Sequence, residues 1–343
     1  MNRFQALVAL NMSGSIGSIR LERLVKVFGS AEKVLKEKFP AFKKEVVDQE
    51  LKLAKKLDLK IITLDDAEYP DNLKNIPDAP LVLYIKGEIT KEDKISLGIV
   101  GSRRASFYGV SSAEKFAFEL AQRGITIVSG MARGIDTASH RGALKAQGRT
   151  IAVIGSGFNH LYPPENKKLA EEISRNGAVV SEFPINIAPF KQNFPRRNRV
   201  ISGLSLGILV VEAAQNSGAL ITADFALEQG RDVFALPGKV DAANSFGTNG
   251  LIKQGAKLVS SVEDILEEFA LPITAVISQA ENKISLNDEE ESKLYSLISD
   301  KSIQFDDLIE KTNLDMSKLA NILLKLQMRK LVKELPGKQF IKA

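Results

Sequence analysis

The feature that most constrains the fold is an alternation of short apolar runs with longer amphipathic segments between residues 61 and 270. Most of the runs are β-rich and nearly continuous in hydrophobicity, as strands buried on both faces of a sheet are. Strands that alternate with helices form right-handed βαβ units, so the pattern predicts an α/β fold with a Rossmann-like, doubly wound, mostly parallel sheet. The predicted strands are 81–85, 95–100, 125–129, 151–154, 178–180, 206–211 and 233–236, and the predicted helices are 110–123, 134–147, 165–176 and 219–229.

The segment before this region has a different character. Residues 1–60 repeat apolar side chains at helical spacing and hold 13 Lys and Arg residues against 7 Asp and Glu residues, which predicts a small basic helical domain. The glycine-containing connection 13–17 could offer backbone N–H groups to a phosphate, as helix-hairpin-helix modules do. A plain helical hairpin is the preferred interpretation, because short connections of this kind are common.

The C-terminal segment predicts a further domain. Residues 271–284 are interpreted as a linker between a core of residues 61–270 and a domain of residues 285–343. In that domain three helix candidates precede a tail that reads as two strands around a Pro-Gly turn, the order of a winged helix. Its 10 basic and 10 acidic residues balance, so a protein-contact or regulatory role fits at least as well as DNA binding.

Composition excludes several kinds of chemistry. The chain has no Cys and only two His residues, His140 and His160, which excludes thiolate metal sites and cysteine nucleophiles and argues against a His-rich metal centre. It contains neither a P-loop nor a G-x-S-x-G elbow. No run approaches the roughly 18–20 apolar residues of a membrane helix. We therefore expect a cytoplasmic protein with no metal and no cofactor, and both histidines are interpreted as structural.

Small residues follow three of the predicted strands. The carboxyl ends of parallel strands share the edge of the sheet where ligands of open α/β sheets bind. Glycines at that edge would let backbone N–H groups approach a phosphate, although tight strand–helix turns also require glycine. The three turns are Gly101-Ser102-Arg103, Ser129 to Asp136, and Gly155-Ser156-Gly157.

The strongest single signal is an acid-free stretch over residues 183–211. Its cations can neutralise phosphates, and its aromatic rings can stack on unpaired bases, a combination typical of a single-strand groove. The alternative is a basic loop whose phenylalanines are core residues and whose arginines pair with carboxylates such as Glu182 or Glu212. The residues alone favour neither interpretation. The interleaved side chains are Phe190, Lys191, Phe194, Arg196, Arg197 and Arg199.

These motifs resemble those of the DNA-processing protein A family (DprA, also called Smf). The resemblance runs in order through nearly all of residues 61–260 and is most specific in the block Phe194-Pro195-Arg196-Arg197-Asn198-Arg199. It also rests on the turns after the strands and on several further motifs. These are Tyr162-Pro163, Ser181 to Pro184, Ser217 to Ala223, Leu236-Pro237-Gly238 and Gly247 to Ile252.

The resemblance implies a function that spacing alone does not. It implies an extended Rossmann core flanked by a helical N-terminal domain and a winged-helix C-terminal domain. It also implies a non-enzymatic protein that binds and shields incoming single-stranded DNA in natural transformation and loads the RecA recombinase onto it. A homodimer through the Rossmann core is implied, as is a cationic DNA pocket with contributions from Gly101-Ser102-Arg103, Lys191 and Phe194.

We therefore expect phosphates to be held by Arg103, Lys191, Arg197 and Arg199, and a base to stack on Phe194. The Gly101 and Gly155 turns are expected to bring backbone N–H groups to the strand. The complete expected DNA-binding set is Gly101, Ser102, Arg103, Gly155, Ser156, Lys191, Phe194, Arg196, Arg197, Asn198 and Arg199.

A second candidate function is hydrolysis of nucleoside monophosphates. Glu212, followed by Ser217-Gly218, resembles the glycine-rich phosphate site of such Rossmann-like hydrolases, although their proline-glycine-glycine triplet is absent. This candidate rests on analogy at the level of the fold.

Overall fold

The computed structural model describes residues 1–40, 42–269, 289–299, 302–312, 314–328, 331–335 and 337–342. The chain divides into two compact units, Met1–Gln279 and Ala280–Ala343. The predicted linker, residues 271–284, lies outside the described residues.

Four short helices open the first unit. Their apolar side chains form one buried cluster, which also contains Leu81, Val82 and Tyr84 from the β2 region of the main sheet. The Asn2 side chain caps the first helix in a capping box with Gln5, which satisfies backbone N–H groups that the helix leaves unpaired. The helices are α1 Arg3–Met12, α2 Ser18–Phe28, α3 Ala31–Lys38 and α4 Lys44–Lys56.

Nine strands of the described chain form one sheet in the order β1-β2-β6-β5-β4-β3-β7-β8-β9. Strands β3 to β9 are all parallel, whereas β1 and β2 add an antiparallel edge. This arrangement confirms the predicted mostly parallel, doubly wound α/β fold. The strands are β1 Lys60–Thr63, β2 Val82–Gly87, β3 Ser96–Val100, β4 Thr126–Ser129, β5 Thr150–Val153, β6 Gly177–Ser181, β7 Gly207–Val210, β8 Asp232–Ala235 and β9 Lys257–Leu258.

Helices cover both faces of this sheet. Side chains of β3 pack into two apolar layers on opposite faces of the sheet. Leu97 and Ile99 lie in one layer, and Val100 lies in the other. Each predicted helix is present, but the segment after residue 192 forms a helix that the sequence did not predict. The helices of this layer arrangement are α5 Asp71–Lys74, α6 Phe107–Gln122, α7 Ile135–Lys145, α8 Lys167–Arg175, α9 Asn193–Leu204, α10 Gly218–Glu228, α11 Phe246–Lys253 and α12 Glu263–Glu268.

The described residues of the second unit form three helices and a small antiparallel sheet of order β10-β12-β11. Leu294, Leu308, Leu323 and Phe340 belong to its apolar core. The predicted winged-helix order is therefore present. Its elements are α13 Glu289–Leu297, β10 Ile303–Gln304, α14 Phe305–Thr312, α15 Met316–Met328, β11 Val332–Leu335 and β12 Gln339–Lys342.

Membrane-spanning helices and metal-binding clusters are both absent from the described residues. None of their helices is both long and apolar enough to pass through a bilayer. No group of three or more His, Asp or Glu side chains among them could hold a metal ion. His140 is fully buried in α7, with its Nδ1 2.7 Å from the Thr150 hydroxyl, and His160 is exposed on a short 3-10 turn.

Candidate nucleic-acid interface

A cleft opens where the strand order of the sheet reverses. The chain passes from β3 to β4 on one side, whereas β7 and β8 extend the sheet on the other side of β3. Such a switch point leaves a crevice beyond the carboxyl ends of the strands, where open α/β sheets bind ligands. Here the crevice has a volume of about 870 Å³ and is lined by the turn 101–104, the loop 214–217 and the first turns of α9. We call it the switch-point cleft.

The switch-point cleft brings together most of the residues expected from the sequence. Those that line it are Gly101, Ser102, Arg103, Lys191, Phe194, Arg197 and Asn198. The remaining four, Gly155, Ser156, Arg196 and Arg199, do not line it.

Phe194 is held in a defined position at the wall of the cleft. The guanidinium carbon of Arg103 lies 4.9 Å from the centroid of the ring, and the Tyr162 ring meets it edge-on at 5.9 Å. A Cβ at Gly155 would lie only 3.0 Å from the ring, so a larger residue there would displace the ring by a few tenths of an ångström. Phe194 is partly buried rather than a core residue. The aromatic surface is therefore both fixed and accessible.

The cations beside this ring have no acidic partner. Arg103, Arg104 and Lys191 are exposed, and no carboxylate of the described residues forms an ion pair with them. Among the described residues that line the cleft, Asp136 is the only carboxylate, and it is buried. The accessible lining is thus cationic and lacks an exposed acid.

Arg197 forms part of the floor of the cleft and is only 4% exposed. Its Nη1 donates a hydrogen bond of 2.9 Å to the Val153 carbonyl and lies 4.0 Å from Asp136. Any Cβ at Gly130 would collide with the guanidinium, so this glycine makes room for Arg197 instead of for a phosphate. Burial lowers the pKa of Arg197 to about 10, which still leaves it charged at neutral pH.

The other two arginines of the block are engaged within the protein. Arg199 is 7% exposed, and its guanidinium contacts the buried Glu182 carboxylate and lies 3.1 Å from Asp78. Arg196 lies 3.4 Å from Glu182 and 5.1 Å from the Phe183 ring centroid. These contacts match the alternative interpretation, in which arginines of the stretch pair with carboxylates, and they differ from the phosphate role expected of Arg199.

The glycine turns also differ from the expectation that they free backbone N–H groups for DNA. The N–H of Ser102 donates to the Glu212 carbonyl at 2.8 Å, and a Cβ at Gly101 would lie 2.9 Å from the same oxygen. Gly155 and Ser156 are buried. The close approaches that these turns permit are to protein atoms, because neighbouring loops and α9 pack directly over the edge of the sheet.

Glu212 lies behind the cleft wall and does not line it. Its carboxylate is 5% exposed and accepts hydrogen bonds from the N–H of Ser106, at 2.9 Å, and from the Ser106 hydroxyl. Gly109 packs against the same carboxylate. The position of Glu212 is that of a residue fixing the start of α6, and its carboxylate is not presented to the cleft.

Sequence reasoning missed the roles of three parts of the site. Asp136, Tyr162 and the loop 214–217 were not in the expected DNA-binding set, yet they anchor Arg197, support Phe194 and line the cleft. Tyr162 did lie within a recognised Tyr-Pro motif, which was a usable signal. Nothing in the sequence indicated that Asp136 would pair with Arg197, because that contact depends on how α7 and α9 pack against each other.

A family model described as DNA recombination-mediator protein A matches residues 60–270. The chain belongs to this family. A second model, the DprA winged helix domain, matches residues 278–338 and agrees with the architecture of the second unit. Residues 60–270 contain the whole switch-point cleft, so the family match covers the site as well as the sheet.

Individual relatives give the same result. The chain is 38% identical to Protein Smf of Escherichia coli over 88% of its own length and 82% of that protein. It is 47% identical to the DNA processing protein DprA of Bacillus subtilis over 61% of its length and 70% of that protein.

Two solved structures of the family resemble this fold. The X-ray structure of DprA from Streptococcus pneumoniae has a TM-score of 0.69 at 35% identity and covers 78% of this chain and 98% of that one. The DNA processing protein A of Helicobacter pylori, whose structure describes a single-stranded DNA binding mode, has a TM-score of 0.55 at 29% identity and covers 64% of this chain and 97% of that one.

Proposed function

We propose that this protein binds single-stranded DNA in the switch-point cleft and, as a recombination mediator, delivers the bound strand to RecA in natural transformation. The observation that carries the proposal is the arrangement around Phe194. An accessible aromatic ring lies under Arg103, which pairs with no carboxylate of the described residues, and the described lining of the cleft has no exposed acid. Family membership and the single-strand binding mode described for the Helicobacter pylori relative support it.

Each accessible group has a distinct physical role in this proposal. Arg103 and Lys191 neutralise successive phosphates, and Phe194 stacks on a base between them. Stacking needs an unpaired base, so the site selects single strands over duplex without reading sequence. Arg197, Arg196 and Arg199 are engaged by groups of the protein itself instead of contacting DNA.

Three further properties belong to the proposal. The protein acts by binding, without turning over a substrate, and Glu212 is committed to Ser106 in a way that suits this. It acts in the cytoplasm, where RecA is present. It forms a homodimer, which sedimentation velocity would reveal as a single species of twice the chain mass.

A competition assay tests the central claim. Wild-type protein should prefer an oligothymidine to a duplex of equal length and to mononucleotides. Arg103→Ala should weaken that binding, whereas Arg141→Ala, which removes an exposed arginine outside the cleft, should not. Equal affinity for single strand and duplex would contradict the proposal. So would release of base from mononucleotides that Glu212→Gln abolishes, since that would establish the hydrolase.

Delivery to RecA needs its own measurement. The lag before RecA assembles on a single strand should shorten in the presence of wild-type protein and should not shorten with Arg103→Ala. A lag that both proteins leave unchanged would remove the mediator step while leaving DNA binding intact.

A further inference from the structure

A smaller pocket adjoins the switch-point cleft on the far side of Phe194. It has a volume of about 220 Å³ and shares Arg103, Arg104, Ala132 and Phe194 with the cleft. Its own lining residues are Gly130, Arg133, Tyr162 and Pro163. Three arginines and no carboxylate therefore line a recess that continues directly from the proposed base-stacking ring. We call it the arginine pocket.

Arg133 is the cation that the arginine pocket adds. Its side chain is 57% exposed, and its Nε donates to Glu165, whose side chain is 49% exposed. The hydrogen bond to Glu165 is the first cause that raises the pKa of Arg133, and the nearby Tyr162 is a smaller one. An exposed ion pair of this kind contributes little to stability. Arg133 can thus exchange its carboxylate partner for a phosphate at small cost.

Tyr162 supplies an aromatic surface in the same recess. The residue is 38% exposed, and its ring meets Phe194 at an interplanar angle of 62°. Its exposed surface therefore faces a different direction from the Phe194 face. Two accessible rings at an angle, each with an arginine beside it, repeat the combination of stacking surface and cation that single-strand sites use.

We propose that the DNA path extends past Phe194 into the arginine pocket, where Arg133 holds a further phosphate in competition with Glu165 and Tyr162 contacts the next base. This inference rests on the proposed function, because it takes the same strand one nucleotide step further. Glu165 acts as a tethered competitor, so the two members of one ion pair have opposite effects on DNA affinity.

Oligonucleotide length and the sign of each effect test the proposal. Oligothymidines of about 4 and about 16 nucleotides span the known range of single-strand site sizes. Arg133→Ala should weaken binding of the longer strand several-fold and lower its log–log salt slope by about 0.7, with little effect on the shorter one. Glu165→Gln should tighten binding of the longer strand several-fold, because Arg133 loses its competitor.

The chain offers a matched control in the pair Arg123 and Glu263. Arg123 Nη2 lies 2.8 Å from Glu263, both side chains are partly exposed, and neither lines the cleft or the arginine pocket. Arg123→Ala and Glu263→Gln change net charge as the test variants do, so they measure the effect of charge alone. Arg133→Gln, which keeps the length of the side chain, serves as a second variant if Arg133→Ala unfolds.

The possible outcomes distinguish a failure of the extended DNA path from a failure of the proposed function. Opposite effects of Arg133→Ala and Glu165→Gln, confined to the longer strand and absent from the control pair, support the extended path. The inference is wrong if Glu165→Gln behaves as Glu263→Gln does, or if Arg133→Ala leaves the longer strand unaffected, while Arg103→Ala still weakens binding. If wild-type protein binds neither strand, the proposed function itself fails.

Discussion

The cations at the open mouth of the switch-point cleft differ from those in the buried layer behind it, which we call the floor. Arg103 and Lys191 are exposed and pair with no carboxylate of the described residues, whereas Arg197 and Arg199 are buried beside Asp136 and Glu182. Three of these four side chains are arginines, so residue type does not separate the groups. Proximity to a buried carboxylate does.

The difference shows that a segment without acids in sequence can be surrounded by them in space. Residues 183–211 contain no Asp or Glu. The sheet nevertheless places Glu182, at the end of β6, and Asp136, at the start of α7, against the buried side of α9. The mouth faces solvent and receives no such partner. We therefore expect the cations at the mouth to contribute to DNA binding and those at the floor to contribute to the stability of the fold.

Arg199→Ala is expected to have the largest effect, on stability. It leaves the Glu182 carboxylate buried without its principal partner, and breaking a buried pair in this way costs about 3–5 kcal/mol. The free energy of unfolding in urea measures the loss. Arg196→Ala is the matched control, because Arg196 contacts the same carboxylate from a 48% exposed position and should cost at most about 1 kcal/mol. A normally stable Arg199→Ala protein with weak DNA binding would reverse the assignment.

His140 makes the floor sensitive to acid. Burial, with a smaller contribution from Arg197, lowers its pKa to about 3. The unfolded chain takes up a proton near pH 6.5 and the folded chain does not, so stability falls as the pH drops from about 6.5 towards 3, by at most about 1.4 kcal/mol per pH unit. His140→Gln should flatten this dependence in urea unfolding curves across that window. His160→Gln, which replaces the exposed histidine, is the control. If His140→Gln loses stability at low pH as the wild type does, His140 is not the source of the acid sensitivity.

The same contrast explains what the sequence could predict about the fold. Strands β3 to β8 were predicted within a residue or two, because burial on both faces leaves a continuous apolar run. Edge strands β1 and β9 were missed, since β1 is partly exposed and β9 has only two residues. Helix α9 was missed because tertiary packing buries even its Asn and Arg side chains, so no apolar period of 3.6 marks it.

For the site, the sequence indicated the location better than the roles. Arg103, Lys191 and Phe194 came from the acid-free stretch and from the family resemblance, and the structure places all three in one cleft. The different roles of Arg103 and Arg199 could not be predicted from their spacing. The partner of Arg199, Glu182, lies 17 residues away in sequence and is brought to it by a strand–helix connection. Burial is a property of the fold, and side chains of one type acquire different roles through it.

Phe194→Ala is expected to lower single-strand affinity by about 1–3 kcal/mol without changing the salt slope, because stacking involves no counterion release. Fluorescence anisotropy of a labelled oligothymidine at several salt concentrations measures both quantities. Phe190→Ala is the matched control, since Phe190 is 53% exposed and does not line the cleft. Loss of folded protein in Phe194→Ala, instead of loss of affinity, would move Phe194 from the mouth to the core.

Lys191→Ala is expected to have the smallest effect on the free energy of DNA binding, and its specific effect is on the salt dependence of that binding. One phosphate contact on a single strand contributes about 0.7 to the slope of log K against log salt. Lys191→Ala should therefore flatten the slope by about that amount and approach wild-type affinity as salt increases.

Arg103→Ala should show the same flattening together with an extra loss that persists at high salt, because its contact with the Phe194 ring does not depend on counterions. Arg196→Ala, which removes an exposed arginine outside the cleft, should leave the slope unchanged. A slope reduced equally by all three variants would mean that DNA senses total charge, and the distinction between mouth and floor would then have no consequence for binding.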